Sequence, residues 1–203
     1  VNPLRGQNNV QGSCDMGSFP HELPGYRHIS DAATRALFEE AWNVELLDEP
    51  GLRIPNMFEA ALDGSFKGMY VQGEDIVQSD PNTQHVQAAL EKLECLVVQD
   101  IFLNETAKYA HVLLPGASFL EKDGTFTNAE RRISRVRQVM PPLAGYADWE
   151  VTQMLANALG YPMNYKHPSE IMDEIARLTP TFHGVSYEKL DRLGSIQWPC
   201  NEK

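Results

Sequence analysis

The fold is decided by a short stretch, Cys95-Leu-Val-Val-Gln-Asp100, in which four apolar residues lead directly into two polar ones. A continuous apolar run of this length is typical of a strand that is buried on both faces of a parallel sheet. Residues 66–71 and 111–114 have a similar character, and each also runs into a polar or glycine-containing turn. Helical patterns accompany these strands. This order of strands and helices along the chain predicts an α/β fold, with a parallel Rossmann-like sheet and flanking helices.

The helices are predicted from apolar spacing and from capping residues. Ser30 serves as an N-cap before a stripe that includes Leu37. Ser79 opens the helix between the first two strands, and Asp148 caps a strong helix towards the end of the sequence. Residues 124–137 alternate between polar and apolar residues, which predicts a strand pair.

These patterns divide the chain into three segments. Residues 1–118 form the α/β portion, residues 119–147 a smaller β-rich segment, and residues 148–203 a helical portion. We expect the last two to make a mixed α+β region.

Composition excludes several classes of protein. The 203 residues carry a formal net charge of −11, which argues against nucleic acid or an anionic membrane as a partner. The longest apolar runs are too short to insert into a membrane. Cys14, Cys95 and Cys200 are widely separated and the six histidines do not group, so no metal site is predicted within the chain. A reducing, cytoplasmic setting is the simplest interpretation, and Cys95 is expected in the core.

Polar clusters follow the carboxyl ends of the three predicted strands: Gly73-Glu74-Asp75, Gln99-Asp100 and Pro115-Gly116. Nucleotides bind at this edge of open α/β sheets. Gly73 would let backbone N–H groups approach a phosphate, and Ser79 would add a hydroxyl and a helix N-terminus. Carboxylates such as Asp148 suit ribose hydroxyls or the N–H donors of guanine. Composition alone favours ordinary turns, because loops need Gly and Asp for conformational reasons.

The opening residues 1–17 have no regular period and are rich in Gly, Asn and Gln. Such segments are usually functional loops or disorder, and the low charge favours a functional loop. The stretch contains a single arginine, Arg5. An isolated arginine most often lies at the surface, but its planar fork also suits a carboxylate or a phosphate.

Residues 5–17, Arg5-Gly-Gln-Asn-Asn-Val-Gln-Gly-Ser-Cys-Asp-Met-Gly17, closely resemble a segment of the molybdopterin-dependent formate dehydrogenases. The resemblance continues to Ile196-Gln-Trp-Pro-Cys200. It implies that this chain is an internal fragment of a larger multidomain enzyme, namely of a catalytic subunit that oxidises formate to CO2 or runs the reverse reaction. It also implies a molybdopterin guanine dinucleotide cofactor with molybdenum or tungsten, iron–sulfur clusters outside this segment, and electron-transfer subunits as partners beside the remainder of the parent chain.

The resemblance assigns roles to individual residues. It implies that Arg5 holds the formate carboxylate and that Gly6 and Gln7 line the same pocket. It implies that a second group holds the nucleotide part of the cofactor: Gly73, Glu74, Asp75, Ser79, Gln99, Asp100, Gly116 and Asp148. The family's metal-ligating Cys or selenocysteine, with its adjacent His, is not found in this chain, nor is the Cys cluster for iron–sulfur. The fragment alone is therefore expected to be inactive.

Other interpretations stay open. Residues 124–132 also resemble a family signature, whose role is either packing against the pterin or a tight hairpin. A sibling oxidoreductase acting on nitrate, a sulfoxide or arsenic oxyanions would share the fold, as would a non-catalytic iron–sulfur subunit used as a scaffold. An unrelated flavodoxin-like domain is a further alternative. Arg5 within its motif favours formate.

Overall fold

The computed structural model describes residues 6–202, which form two compact units. Unit 1 comprises the residues up to Gly51, Asp123–Gln138 and the residues from Gln153 onward. Unit 2 comprises Leu52–Lys122 and Val139–Thr152. Each unit therefore draws on separate parts of the chain, and each has its own hydrophobic core. The three consecutive segments expected from the sequence stay a prediction.

The described residues form eight helices and eight strands. The helices are α1 (Val10–Asp15), α2 (Ala32–Trp42), α3 (Ile54–Asp63), α4 (Ile76–Ser79), α5 (Thr83–Lys92), α6 (Asp148–Ala158), α7 (Pro168–Leu178) and α8 (Tyr187–Leu193). The strands are β1 (Glu22–Leu23), β2 (Arg27–His28), β3 (Gly68–Gln72), β4 (Cys95–Asp100), β5 (Val112–Pro115), β6 (Gly124–Thr127), β7 (Arg132–Val136) and β8 (Ser195–Gln197). Two 3-10 turns lie at Thr106–Tyr109 and Pro180–Phe182.

Unit 2 is built on a three-stranded parallel sheet in the order β3-β4-β5. The central strand β4 places Val98 opposite Val71 on one side and opposite Leu113 on the other. Leu96 and Val98 are fully buried, as expected for an apolar strand that is covered on both faces. Helices α3 and α5 supply much of that cover, with Phe58 among the core residues. The predicted parallel α/β sheet is confirmed.

Two details of this sheet differ from the predictions. β5 was expected to be buried, but Val112 and Leu113 are 45% and 39% exposed. In the described part of the chain β5 pairs with β4 alone, so it is an edge strand. Cys95 was expected in the core but is exposed. It is the first residue of β4, and the burial of that strand begins at Leu96.

Ser79 does not begin a helix, which corrects the prediction for that residue. It is the last residue of α4 and is exposed. Asp80 is extended, with φ −88° and ψ 141°, because a residue that precedes proline avoids the helical region. Helix α5 starts later, after Asn82 in the left-handed conformation. The hydroxyl of Ser79 therefore belongs to the C-terminus of α4 and not to the first turn of α5.

Unit 1 contains a three-stranded antiparallel sheet in the order β6-β7-β8. The predicted strand pair is confirmed as the hairpin β6–β7, whereas β8 is three residues long and was not predicted. Ile133 of β7 and Ile196 of β8 pack with Leu190 of α8 in a common core. Ser186 caps α8, since its hydroxyl accepts a hydrogen bond from Lys189 N at 3.1 Å.

The opening stretch is less irregular than its composition suggests. Its second half forms the short helix α1, which begins after Asn9 in the left-handed conformation. The buried residues of α1 are Gln11, Cys14 and Asp15, two of which are polar. A search for apolar periodicity therefore misses this helix. In α2 the N-cap is Asp31 rather than Ser30, and Leu37 is 40% exposed while its neighbour Phe38 is buried.

Candidate functional site

A cavity of about 470 Å³ lies in unit 2, at the carboxyl ends of the three parallel strands. Its size falls within the range of small-molecule sites, roughly 300–1,000 Å³. Five of the residues predicted from the sequence line it together: Gly73, Gln99, Asp100, Gly116 and Asp148. Parallel strands end at the same edge of a sheet, so loops that are far apart in sequence meet there.

Gly73 and Gly116 continue the sheet beyond its strands. Gly73 N–H donates to Gln99 O at 2.9 Å, and Gly116 N–H donates to Asp100 O at 2.9 Å. Gly73 has φ +66°, a conformation that glycine adopts readily. Its own N–H is used within the sheet, so the predicted approach of backbone N–H groups to a phosphate at this loop would have to use other residues.

Gly116 is required for a different reason. A Cβ added at this position would lie 3.1 Å from the carbonyl carbon of Asp100 and 3.3 Å from Ile101 N. Both contacts are with backbone, which cannot rotate away as a side chain does. The missing side chain of Gly116 therefore allows the loops after β4 and β5 to approach each other closely at the wall of the cavity.

Asp148 connects three parts of the cavity. Its Oδ1 accepts hydrogen bonds from Ala117 N at 2.9 Å and from Gln99 Nε2 at 3.2 Å. Its Oδ2 accepts from the ammonium group of Lys122. Gln99 is itself almost fully buried and accepts a hydrogen bond from the Tyr70 hydroxyl. Burial raises the pKa of Tyr70, and the negative charge of Asp148 raises it further, so this phenol stays a donor at neutral pH.

Asp100 shapes the loop that follows β4. Its Oδ1 accepts from Ile101 N at 2.6 Å and from Phe102 N at 3.3 Å, while Oδ2 accepts from Asn104 Nδ2 at 2.9 Å. A carboxylate that bonds the backbone just after it holds a turn in place. The carboxylate of Asp100 is thereby fixed at the cavity wall.

Asp75 has a structural role outside the lining of the cavity. Its Oδ1 accepts from Thr106 N at 3.0 Å and from Thr106 Oγ1 at 2.7 Å, and its Oδ2 from Gln78 Nε2 at 2.8 Å. Burial alone raises the pKa of Asp75, but the hydrogen bonds from Thr106, Glu105 and Gln78 together hold that pKa below its ordinary value. Asp75 therefore joins the loop after β3 to the 3-10 turn.

The remaining predicted residues are placed elsewhere. Glu74 is half-buried and Ser79 is exposed, and neither lines this cavity. Gly6 and Gln7 are exposed residues of unit 1. Arg5 lies outside the described residues. The cavity lining also includes Gln72 and Lys122, which no sequence pattern predicted. A search for a cation beside the acidic strand ends, in an acidic chain, would have found Lys122.

Unit 2 also exposes large apolar side chains. Ile101 and Phe119, which are 51% and 59% exposed, line the cavity itself. We define the apolar surface of unit 2 as Phe102, Leu103, Phe119, Val139 and Leu143, whose exposed fractions are 72%, 80%, 59%, 74% and 95%. Each of these five side chains exposes more than half of its surface.

Two further observations concern the chain between residues 6 and 202. It contains no group of three or more His, Cys, Asp or Glu side chains arranged to hold a metal ion. None of its helices combines the length and the apolar character needed to cross a lipid bilayer.

An open parallel sheet with a polar cavity at its carboxyl edge is typical of the α/β proteins that bind nucleotides. Comparison with known families identifies the class more closely. The family described as "Molybdopterin oxidoreductase" matches residues 4–158, more than half of the chain. The chain belongs to the molybdopterin oxidoreductase family.

Curated relatives agree with this assignment. A protein of Staphylococcus haemolyticus named "Putative formate dehydrogenase SH0748" is 52% identical over 198 residues, which are 97% of this chain. "Probable oxidoreductase YjgC" of Bacillus subtilis is 50% identical over 200 residues, or 98% of this chain. The chain spans 20% of the length of each of these relatives.

The fold has a counterpart among solved structures. Acetylene hydratase from Pelobacter acetylenicus matches 83% of this chain and 24% of its own chain, with a TM-score of 0.61 and 18% sequence identity. At this identity the match supports the mixed α/β fold alone.

Proposed function

We propose that this chain is part of the catalytic subunit of a formate dehydrogenase and that it holds the nucleotide part of a molybdopterin guanine dinucleotide. The observation that carries the proposal is the meeting of Gly73, Gln99, Asp100, Gly116 and Asp148 around one cavity. Family membership and the names of relatives at about half identity support it. The parent enzyme would oxidise formate to CO2 and pass electrons to iron–sulfur clusters, with molybdenum or tungsten in the cofactor.

The donors and acceptors of the cavity fit a guanine nucleotide. The carboxylates of Asp100 and Asp148 are acceptors suited to ribose hydroxyls and to the paired N–H donors of guanine. Lys122 supplies a cation for the diphosphate. Its ammonium group pairs with Asp148, and the side chain is 28% exposed, so it keeps access to solvent. The apolar side chains of Ile101 and Phe119 would pack against the flat face of a base.

Substrate binding is assigned to Arg5, as the resemblance implies. Formate is a one-carbon carboxylate, so both of its oxygens have to be gripped for it to be oriented. The planar guanidinium of Arg5 would donate two parallel hydrogen bonds and leave the C–H bond facing away from the arginine. Orientation of this kind lowers the barrier by removing rotational freedom before the reaction. The metal centre of the cofactor, when bound, supplies the acceptor for the two electrons of formate.

The apolar surface of unit 2 supports the proposal that this chain packs against a partner. The chain is one fifth as long as its curated relatives, and the exposed Phe102, Leu103 and Leu143 would be buried against the remainder of the parent protein. We further propose electron-transfer subunits as partners, a Rossmann-like extension of the sheet, and a cytoplasmic location.

The proposal is tested in the full-length enzyme by formate-dependent reduction of a dye, together with the metal and guanine nucleotide released on denaturation. Arg5→Lys keeps the charge but loses the fork, so we expect normal cofactor content and a loss of most of the turnover with formate. A near-wild-type rate in that variant would remove Arg5 from the mechanism.

Nitrate, sulfoxides and arsenic oxyanions serve as comparison substrates. A preference for one of them would favour a sibling enzyme, and a flavin spectrum would refute the assignment.

A further inference from the structure

Unit 1 contains a cavity of its own, with a volume of about 660 Å³. Residues of α7, of α8 and of the segment that joins these helices line it. Its size falls within the range of small-molecule sites, roughly 300–1,000 Å³. All of its lining residues lie between Asp173 and Asn201, so the cavity belongs to unit 1 alone.

Helical spacing brings charged side chains to this cavity. Asp173 and Arg177 are four residues apart in α7 and therefore share a face of the helix, while Met172 of the same helix is buried in a hydrophobic core. In α8, Lys189 lines the cavity and its neighbour Leu190 is fully buried. Each helix thus supplies a cation to the cavity and an apolar side chain to the core.

Main-chain contacts fix the wall between the two helices. Gly184 N donates to Cys200 O at 2.9 Å, and Cys200 N donates to Thr181 O at 2.8 Å. A Cβ at position 184 would overlap Glu202 O and Cys200 Sγ. The lack of a side chain at Gly184 therefore allows the two segments to approach each other closely, and the wall is preformed.

His183 contributes a ring nitrogen to the cavity lining. Its Nδ1 lies 2.5 Å from the carbonyl oxygen of Ala176. Because a carbonyl oxygen only accepts, this contact assigns the proton of the neutral ring to Nδ1. Nε2 of His183 has no hydrogen-bond partner among residues 6–202. It is therefore available to accept a hydrogen bond from a ligand, or to donate one when the ring is protonated.

The two cations of the lining have no carboxylate partner. Among the residues that the structure describes, neither Arg177 nor Lys189 forms an ion pair, and the ammonium group of Lys189 has its one polar contact with Cys200 Sγ, at 3.9 Å. The lining contains a single carboxylate, that of Asp173. The cavity therefore carries an excess of positive charge, in a chain whose formal net charge is −11.

We propose that this cavity binds the phosphate group of a small organic molecule, with Arg177 and Lys189 as its main ligands. A guanidinium holds phosphate oxygens through paired N–H donors, and an ammonium group adds a compact charge. This site lies outside the nucleotide cavity of unit 2 and does not depend on the proposed oxidation of formate.

The chemistry of the lining favours a phosphate ester over a carboxylate. A carboxylate has two oxygens, which a single guanidinium can satisfy, whereas a phosphate group has three that can meet both cations and a hydroxyl. The hydroxyl of Ser186 accepts from Lys189 N at 3.1 Å, and its own proton remains available to a ligand. Ala176 and Val185 also line the cavity and would contact the organic part of the molecule.

The test uses the full-length protein in about 0.15 M NaCl, where interactions between distant surface charges are screened. Calorimetric titration measures the affinities for glycerol phosphate, inorganic phosphate and acetate. We expect both phosphates to bind, with glycerol phosphate the tighter of the two. Acetate should bind about tenfold more weakly than inorganic phosphate.

Four variants locate the binding. Arg177→Gln and Lys189→Gln each remove one cation and should weaken the binding of glycerol phosphate about tenfold. Asp173→Asn removes the carboxylate of the lining and should tighten binding about threefold. Arg192→Gln is the matched control, because Arg192 is an exposed arginine of α8 outside the lining.

Thermal unfolding supplies a second readout. None of the four substituted side chains is buried, so we expect the melting temperatures without ligand to stay close to that of the wild type. Glycerol phosphate should raise the melting temperature of the wild type and of Arg192→Gln, and much less that of Arg177→Gln. Tighter binding by Asp173→Asn cannot arise from a loss of folding, so this variant keeps the test decisive.

Three results would overturn the inference. The first is the absence of binding of either phosphate to the full-length protein, in which the remainder of the parent chain would then fill the cavity. The second is an affinity that Arg177→Gln and Lys189→Gln leave unchanged, because the phosphate would then bind elsewhere. The third is equal affinity for acetate and inorganic phosphate, which would exclude a phosphate-selective site.

Discussion

The carboxylate of Asp148 accepts a hydrogen bond from the backbone N–H of Ala117 at 2.9 Å, although 31 positions separate the two residues. The start of α6 is thereby joined to the loop that follows β5. The same loop leads to Lys122, which pairs with the other oxygen of Asp148. A single side chain therefore holds several parts of the cavity wall in place.

Substitution of Asp148 should affect stability and nucleotide binding to different extents. Asp148→Ala leaves the Ala117 N–H and the Gln99 amide without their acceptor, which should lower the free energy of unfolding by about 1–3 kcal/mol. Asp148→Asn keeps an acceptor oxygen, so we expect a smaller loss of stability but a reduced guanine nucleotide content in the full-length protein. Urea denaturation and nucleotide analysis measure the two effects.

Glu94→Gln is the control for Asp148. It removes a carboxylate from an exposed pair with Lys67, and such surface pairs contribute little. If Glu94→Gln lowered the nucleotide content as much as Asp148→Asn does, the special role of Asp148 would be refuted.

Gly116→Ala should disturb the loops after β4 and β5. The new methyl group would press on the backbone of Asp100 and Ile101, at 3.1 and 3.3 Å. We expect a loss of about 1–3 kcal/mol in the free energy of unfolding, as for other overpacked sites. Gly124→Ala is the matched control because its Cβ would meet nothing within 4 Å. Equal stabilities of the two variants, measured by urea denaturation, would contradict the close approach.

Asp75 should contribute to the acid sensitivity of unit 2. Its pKa in the folded state lies below its ordinary value, so its stabilising effect is complete above about pH 4 and is lost as the pH falls through the folded pKa. Asp75→Asn should therefore be less stable than the wild type at neutral pH and should lose less stability on acidification. Urea denaturation from pH 7 to pH 3 measures this. If the free energy of unfolding fell equally with pH in the wild type and in Asp75→Asn, Asp75 would not contribute to the acid sensitivity.

The apolar surface of unit 2 should be accessible in the isolated chain and covered in the full-length protein. We expect the isolated chain to bind a hydrophobic fluorescent dye and the full-length protein to bind much less. Leu143→Ser should reduce dye binding, since Leu143 is 95% exposed. Leu47→Ser is the control, because Leu47 of unit 1 is 80% exposed but lies outside this surface. Equal binding by the isolated and full-length proteins would argue against burial by the remainder of the parent.

Local patterns were sufficient to predict the parallel sheet. Strand β4 is apolar at successive positions, and the hairpin β6–β7 alternates, so both signals lie within a few residues. The same local rules misplaced Ser79, because the extended Asp80 before Pro81 ends α4 before a new helix can begin. They also placed Cys95 in the core. It is exposed because it is the first residue of β4, and the burial of that strand begins one residue later.

The sequence by itself determined the membership of the family, the parallel strands and the polar residues that follow them, because these depend on residue type and short-range spacing. Only the tertiary structure decided which of those residues share a cavity. It brings Asp148 to Ala117 and adds Lys122, while Asp75 is used to hold the Thr106 turn. Contacts of this kind depend on the paths of loops between distant elements, and no local pattern of residues encodes them.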